Sequence, residues 1–200
     1  LEWCLKDLDV NIFSEHFIKD IEKIEDKFVI KTDEREYKDY EKVLISNASK
    51  DSSSTTIQLS SLFLNNLNSY EKLKLLFENT KMQNKCKIVF EIPESIINEH
   101  YQNSLLYINL FKDYGFDFGI NNFIADSNDH SYLKELKPVF IKADKQYLID
   151  TQQDINMLKI IMESLNLQLI ATGVNDIDEL NILYERGIKS ISGKIVDKII

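Results

Sequence analysis

The stretch Phe116-Asp-Phe-Gly-Ile-Asn121-Asn122-Phe123, followed after a polar loop by Ser131-Tyr132-Leu133 and then by Phe140-Ile141-Lys142-Ala143-Asp144, decides the fold. Two short apolar runs end in polar residues and are joined by one amphipathic turn. A β/α barrel presents its functional groups in this way, at the carboxyl ends of parallel strands. Upstream, Cys86-Lys-Ile-Val-Phe-Glu91-Ile-Pro93-Glu94-Ser95 is a β-rich run leading into a helix, with Pro93 near the start and an acidic residue that suits the helix dipole. Ile97, Tyr101, Leu105, Ile108 and Phe111 fall on one helical stripe, which Gly115 closes. Downstream, Ile155, Leu158, Met162 and Leu165 mark a helix, Gln168 to Ala171 a strand, Ile177 to Arg186 a helix and Lys189 to Ser192 a short strand.

The amino-terminal part reads less sharply. Asn11 to Ile18 and Lys27 to Thr32 alternate as half-buried strands do, with a turn expected over Lys19 to Asp26. Glu34 to Ala48 carries Tyr37, Tyr40, Val43, Leu44 and Ala48 at helical steps, and Asp51 to Thr56 is a polar connector. Ile57-Gln58-Leu59-Ser60 is a strand end, and Leu62 to Thr80 a helical segment interrupted around Asn65 to Ser69. Strands and helices alternating every 20–30 residues or so predict an α/β fold, a modified, partly truncated TIM-like β/α barrel. The truncation follows from length, since a complete barrel takes about 250 residues and this chain has 200.

Composition narrows the function classes. With 44% hydrophobic and 28% charged residues, and no apolar run approaching the ~20 residues of a membrane span, an ordinary soluble domain is expected. The net charge of -9 argues against a broad nucleic-acid or anionic-membrane surface, while leaving room for a small anionic ligand in a local pocket. Cys4 and Cys86 are too few for a disulfide framework, so a reducing cytoplasm is expected. His16, His100 and His130 have no metal-ligand spacing, and no Ser/His/Asp or Cys/His constellation and no phosphate loop can be assembled. The start at Leu1, without an initiator Met or a signal peptide, suggests a single domain over residues 1–200 excised from a larger protein.

The segment from Asn121 to Leu133 resembles, over thirteen ungapped positions, the Asp-Asp-Phe-Gly-x-Gly-x-Ser-Ser-Leu-x-x-Leu segment of EAL domains, the bacterial cyclic di-GMP phosphodiesterase family. Lys142-Ala143-Asp144 matches its Lys-x-Asp, Glu91 to Ser95 its Glu-Ile-Thr-Glu-Ser, Thr172-Gly-Val-Asn175 its Glu-Gly-Val-Glu, and Ser192-Gly193 with Lys198 its Gln-Gly-x-x-x-x-Lys. Gln58, Glu91, Asn121, Lys142, Thr172 and Ser192 each end a predicted strand, so a barrel is expected to bring them to one mouth. In that family acidic side chains hold Mg or Mn. Here the resemblance puts Asn121 and Asn122 at two metal-binding aspartates, Thr172 and Asn175 at glutamates, Gln58 at a metal-binding Asn and Ser192 at a Gln. The Glu-Ala-Leu signature is absent from Val29 to Lys31, and Ser14 and Glu15 stand near the Gln-Pro pair of the first strand.

Glu91, Lys142 and Asp144 are the remnants of such a site, with Glu91 and Asp144 its residual metal candidates. Gln58 either ligates, with its amide oxygen one methylene too far out, or hydrogen-bonds in a barrel mouth. Lys142 either contacts a phosphate or is neutralised by Glu91 and Asp144, since an unpaired buried charge costs several kcal/mol. Hydrolysis of a phosphodiester by metal-bound water needs several anionic ligands. The reading is therefore a catalytically inactive EAL-like signalling domain, without cofactor, acting through a protein partner or as a homodimer. The loop from Ile124 to His130, with Asp126, Asn128 and Asp129, is the expected contact surface. The alternatives are a non-hydrolysing cyclic di-GMP receptor and an active phosphodiesterase.

Overall fold

The computed structural model describes residues 11–12, 15–24, 27–32, 36–37, 55–79, 88–124, 130–150 and 155–197, by backbone alone before Thr56. Its strands are β1 (Asn11–Ile12), β2 (Glu15–Ile24), β3 (Lys27–Thr32), β4 (Glu36–Tyr37), β5 (Thr55–Leu59), β6 (Ile88–Pro93), β7 (Asp117–Asn121), β8 (Phe140–Asp144), β9 (Gln168–Thr172) and β10 (Ser190–Ile191). Its helices are α1 (Ser61–Leu64), α2 (Leu67–Asn79), α3 (Glu94–Glu99), α4 (Tyr101–Asp113), α5 (Ser131–Leu136), α6 (Lys145–Asp150), α7 (Ile155–Leu165), α8 (Ile177–Glu185) and α9 (Lys194–Asp197). The chain divides into two compact units, Glu15–Phe118 and Leu1–Ser14 with Gly119–Ile200.

In the central unit, Glu15–Phe118, β6, β5 and β2 are parallel neighbours, and β3 and β4 continue from β2 as antiparallel strands. β2 is longer than the sequence predicts. It runs to Ile24 through the expected turn at Lys19, with a register irregularity between Ile18 and Asp20, because charged residues cost little on a strand whose hairpin partner supplies the backbone bonds. The expected helix from Glu34 is also corrected at its start, where Glu36 and Tyr37 pair with Lys31 and Ile30 of β3. The rest of that helix, residues 38–48, lies outside the described residues, as do residues 51–54 of the connector.

The core of this unit is aromatic. Phe90 of β6 stacks on Phe111 of α4 at 4.4 Å and 14°, while Phe77 of α2 meets Phe116 at 4.8 Å. Burying each such ring stabilises by about 1.5–3 kcal/mol. Ser60 starts α1 by accepting the N–H of Phe63 at 3.1 Å, and α2 follows after a two-residue break at Asn65 and Asn66. The single stripe predicted from Ile97 to Phe111 is divided. His100, at φ -135° and ψ 54°, separates α3 from α4; Ile97, Ile108 and Phe111 of the stripe are buried as expected, joined by Ser104, Tyr107 and Leu110, while Tyr101 and Leu105 are only half-buried.

In the other unit, β1, β10, β9, β8 and β7 are neighbours in that order, all parallel. Parallel strands need crossovers, and helices α5 to α8 supply them between β7 and β10. Gly119 is packed so closely under the Phe140 ring that a β-carbon there would overlap it, which keeps β7 and β8 in contact.

Three helix ends across the two units share one device. After α4, α7 and α8 a residue with positive φ, Gly115 (77°), Asn166 (53°) and Gly187 (77°), turns the chain back. The next residue then donates its N–H to a carbonyl five residues earlier: Phe116 to Phe111, Leu167 to Met162, Ile188 to Leu183, each at 2.8 or 2.9 Å. Each of these residues is apolar and leads directly towards the next strand, so the helix stop and the strand start are one event.

Candidate functional site

In the carboxy-terminal unit, strand register sets the positions of the expected site residues. Ile120 pairs with Ile141, Asp144 with Thr172, and Ile191 with Ala171, so Asn121, Asp144, Thr172 and Ser192 stand at the carboxyl ends of β7 to β10. Lys142 lies two residues further back, within β8. Asn121 is 2% exposed, and among the described residues neither its amide oxygen nor its amide nitrogen has a hydrogen-bond partner. Burying such a group without a partner costs about 1–3 kcal/mol. Asn122 follows at φ 51°, a left-handed conformation that Asn tolerates, and is exposed. The turn brings the N–H of Phe123 to the carbonyl of Lys142 at 2.9 Å.

Lys142 is 2% exposed, with its ammonium 5.6 Å from the centre of the Phe140 ring, two residues back on the same strand face. Asp144 is exposed, and its Oδ1 accepts the N–H of Gln146 at 2.7 Å, starting α6. Thr172 donates its hydroxyl to the carbonyl of Ala143 at 3.3 Å. Ser192 is buried, donating its N–H to Ala171 at 2.8 Å and accepting that of Val174 at 3.1 Å. Asn175 is exposed and donates its N–H to Glu179 Oε2 at 2.8 Å. Of these side chains Asp144 alone is a carboxylate, and it is already shared with a helix start.

In the central unit, Gln58 on β5 pairs in register with Glu91 on β6, so the two side chains lie side by side. Gln58 is half-buried and Glu91 is 1% exposed, in a strand that is buried throughout. Glu91 is not at the strand end expected of it, because β6 runs on to Pro93 before α3 starts. Val29 to Lys31 lie on β3, outside the parallel set and antiparallel to β2. Among the described residues, no three His, Cys, Asp or Glu side chains form a metal-holding group.

The sequence reading missed Lys145, Asp176 and Glu179. The ammonium of Lys145 donates to Glu179 Oε1. Asp176 caps α8 by accepting the N–H groups of Asp178 and Glu179 at 3.1 and 3.0 Å. Asp176-x-x-Glu179 has the spacing of a capping box, a signal that was there to be read. The hydrogen bond from Lys145 holds the Glu179 carboxyl below the usual carboxylate range, helped by the N–H of Asn175.

Parallel strands alternating with helices and carrying polar residues at their carboxyl ends are an arrangement that β/α barrels share. The chain matches the EAL domain family over residues 13–198 and belongs to that family. Solved structures share the fold. The S helix-GGDEF-EAL portion of Vibrio cholerae LapD, in apo and cyclic di-GMP-bound forms, superposes with a TM-score of 0.65 at 18% identity over 86% of this chain and 48% of that one. The Pseudomonas aeruginosa FimX EAL domain bound to cyclic di-GMP gives 0.59 at 20% identity over 74% and 63%. The manganese and cyclic di-GMP complex of Klebsiella pneumoniae BlrP1 gives 0.58 at 18% over 77% and 41%. The chain thus spans about half the length of the LapD chain it matches. No curated protein matches it. The fold is that of a modified, partly truncated TIM-like barrel of EAL type, and among the described residues no helix is long and apolar enough to cross a membrane.

Proposed function

We propose that this is an EAL-family signalling domain that does not hydrolyse cyclic di-GMP and acts through a protein partner or a second copy. The observation that carries the reading is the donor set at the strand ends of the carboxy-terminal unit: Asn121, Thr172 and Ser192 are neutral, and Asp144 spends one oxygen on α6. Hard divalent cations take several oxygen ligands, and carboxylates supply the charge that holds them. One carboxylate, one amide and two hydroxyls, that of Thr172 already donating, do not fit a pair of Mg or Mn ions. Ile124, 49% exposed at the start of the expected contact loop, supports an outward-facing role, while residues 125–129 lie outside the described residues.

A second reading, a receptor that binds cyclic di-GMP without hydrolysing it, is favoured by one observation. The Asn121 amide, without a partner among the described residues, lies in register beside the buried Lys142, a hydrogen-bonding group and a cation on adjacent strands. The FimX EAL domain, of similar fold, has been solved with this nucleotide. Titration calorimetry with cyclic di-GMP, with and without Mn²⁺, followed by chromatography of the nucleotide, separates the readings. The first expects neither heat nor product, the second expects heat without product. Linear product that disappears in a Glu91→Ala variant would overturn both.

A further inference from the structure

Because β8 and β9 are parallel neighbours with Asp144 opposite Thr172, the junctions β8–α6 and β9–α8 emerge side by side. They gather acidic groups: Asp144 on one, and Asp176, Asp178 and Glu179 on the other. Lys145, the residue after Asp144, places its ammonium on Glu179, with side-chain exposures of 14% and 23% for the pair. The second oxygen of that carboxylate accepts the N–H of Asn175 at 2.8 Å, and Asp176 holds the backbone of Glu179 from below. A continuous chain of bonds therefore runs from the first junction, through Lys145 and Glu179, to the Thr172–Asn175 loop of the second. On the opposite side of that loop Val174 donates its N–H to the carbonyl of Ser192 at 3.1 Å and accepts the N–H of Ile195 at 3.0 Å.

We propose that the Lys145–Glu179 pair is an internal latch that orders the Thr172–Asn175 loop without a metal ion or ligand. An ammonium and a carboxylate held partly out of water form a charge-assisted bond stronger than a neutral one. Lys145 and Glu179 are positioning residues: they set where Thr172 and Asn175 stand, whatever the strand ends then meet. The inference goes beyond the proposed function and stands whether or not the domain binds or hydrolyses a nucleotide.

Residue-resolved hydrogen exchange on the unmodified chain and on Lys145→Met, Glu179→Gln and Lys145→Arg tests it. The Asn175 amide is expected to exchange at least tenfold faster in Lys145→Met and in Glu179→Gln, with the Ile141 and Ile170 amides of the neighbouring strands unchanged. Lys145→Arg keeps the protection, and neither EDTA nor added Mg²⁺ moves it in the unmodified chain. Unchanged exchange at Asn175 in both variants overturns the latch. So do equal acceleration throughout β8 and β9, loss of protection with EDTA alone, and failure of both variants to fold, which would make the pair a determinant of the whole unit instead.

Discussion

Gly193 lies against the backbone of Val174 so closely that a β-carbon on Gly193 would overlap both the amide nitrogen and the carbonyl oxygen of Val174. Its φ of 147° is a conformation that side chains rarely adopt. The contact fixes the end of β10 against the loop after β9, where Ser192 and Thr172 stand. Gly193→Ala is therefore expected to destabilise by about 3 kcal/mol, combining backbone strain with displacement of the loop. Gly115→Ala, also at positive φ but with open space around the added carbon, should cost only about 1–2 kcal/mol. Urea denaturation of the two variants checks the order, and equal losses would contradict the close approach.

Gly119→Ala meets a side chain rather than backbone, the ring of Phe140. Its cost, about 1–3 kcal/mol of overpacking, should shrink when Phe140 is first replaced by Leu. A double-mutant cycle reads this directly, and additive effects would mean that the ring moves aside freely.

Asn121→Leu replaces a buried amide that has no partner among the described residues with an apolar group of similar size. The folded domain is expected to gain about 1–2 kcal/mol, since the desolvation cost of the amide is removed. A gain from losing a polar residue at a strand end would mark Asn121 as retained for a ligand. A loss above 1 kcal/mol or so in thermal or urea melts would show that the amide is satisfied in solution.

Restoring two carboxylates with Asn121→Asp and Asn122→Asp should leave cyclic di-GMP hydrolysis absent with Mg²⁺ or Mn²⁺. Thr172 and Asn175 remain uncharged, and the Glu-Ala-Leu signature remains missing from β3. Turnover by the double variant, measured by release of the linear dinucleotide, would show that these two positions alone decide activity.

Glu179 links stability to pH. Its carboxyl titrates below the usual range in the folded chain because it accepts from Lys145 and from Asn175. A depressed folded value contributes stability that is present above the unfolded carboxylate pKa and is lost as pH falls through the folded one. Glu179→Gln should accordingly remove part of the decline in stability between neutral pH and strong acid. Parallel curves for the two proteins in pH-dependent denaturation would show that the ion pair is screened in solution.

What sequence alone determined is what local chemistry encodes. The β-branched run before Pro93, the apolar pair of strands ending at Asn121 and Asp144, and the helix of Ile155, Leu158, Met162 and Leu165 stand where their patterns predicted, because strand and helix periodicity is written in neighbouring residues. The family was legible for the same reason, since its motifs are short and ordered. The Asp176-x-x-Glu179 cap was equally local and was missed.

Only the tertiary structure decided the rest. The extension of β2 through charged residues came from its hairpin partner, and the division of one helical stripe at His100 came from backbone geometry that no side-chain pattern announces. Lys145 meets Glu179 across 34 residues because β8 and β9 are parallel neighbours, and the sequence spacing carries no trace of that. The same holds for Gly193, whose need to be glycine arises from the backbone of Val174 and not from any turn of its own. Periodicity states which face of an element is buried. Which groups then touch is set by strand order and register, and those are properties of the assembled sheet.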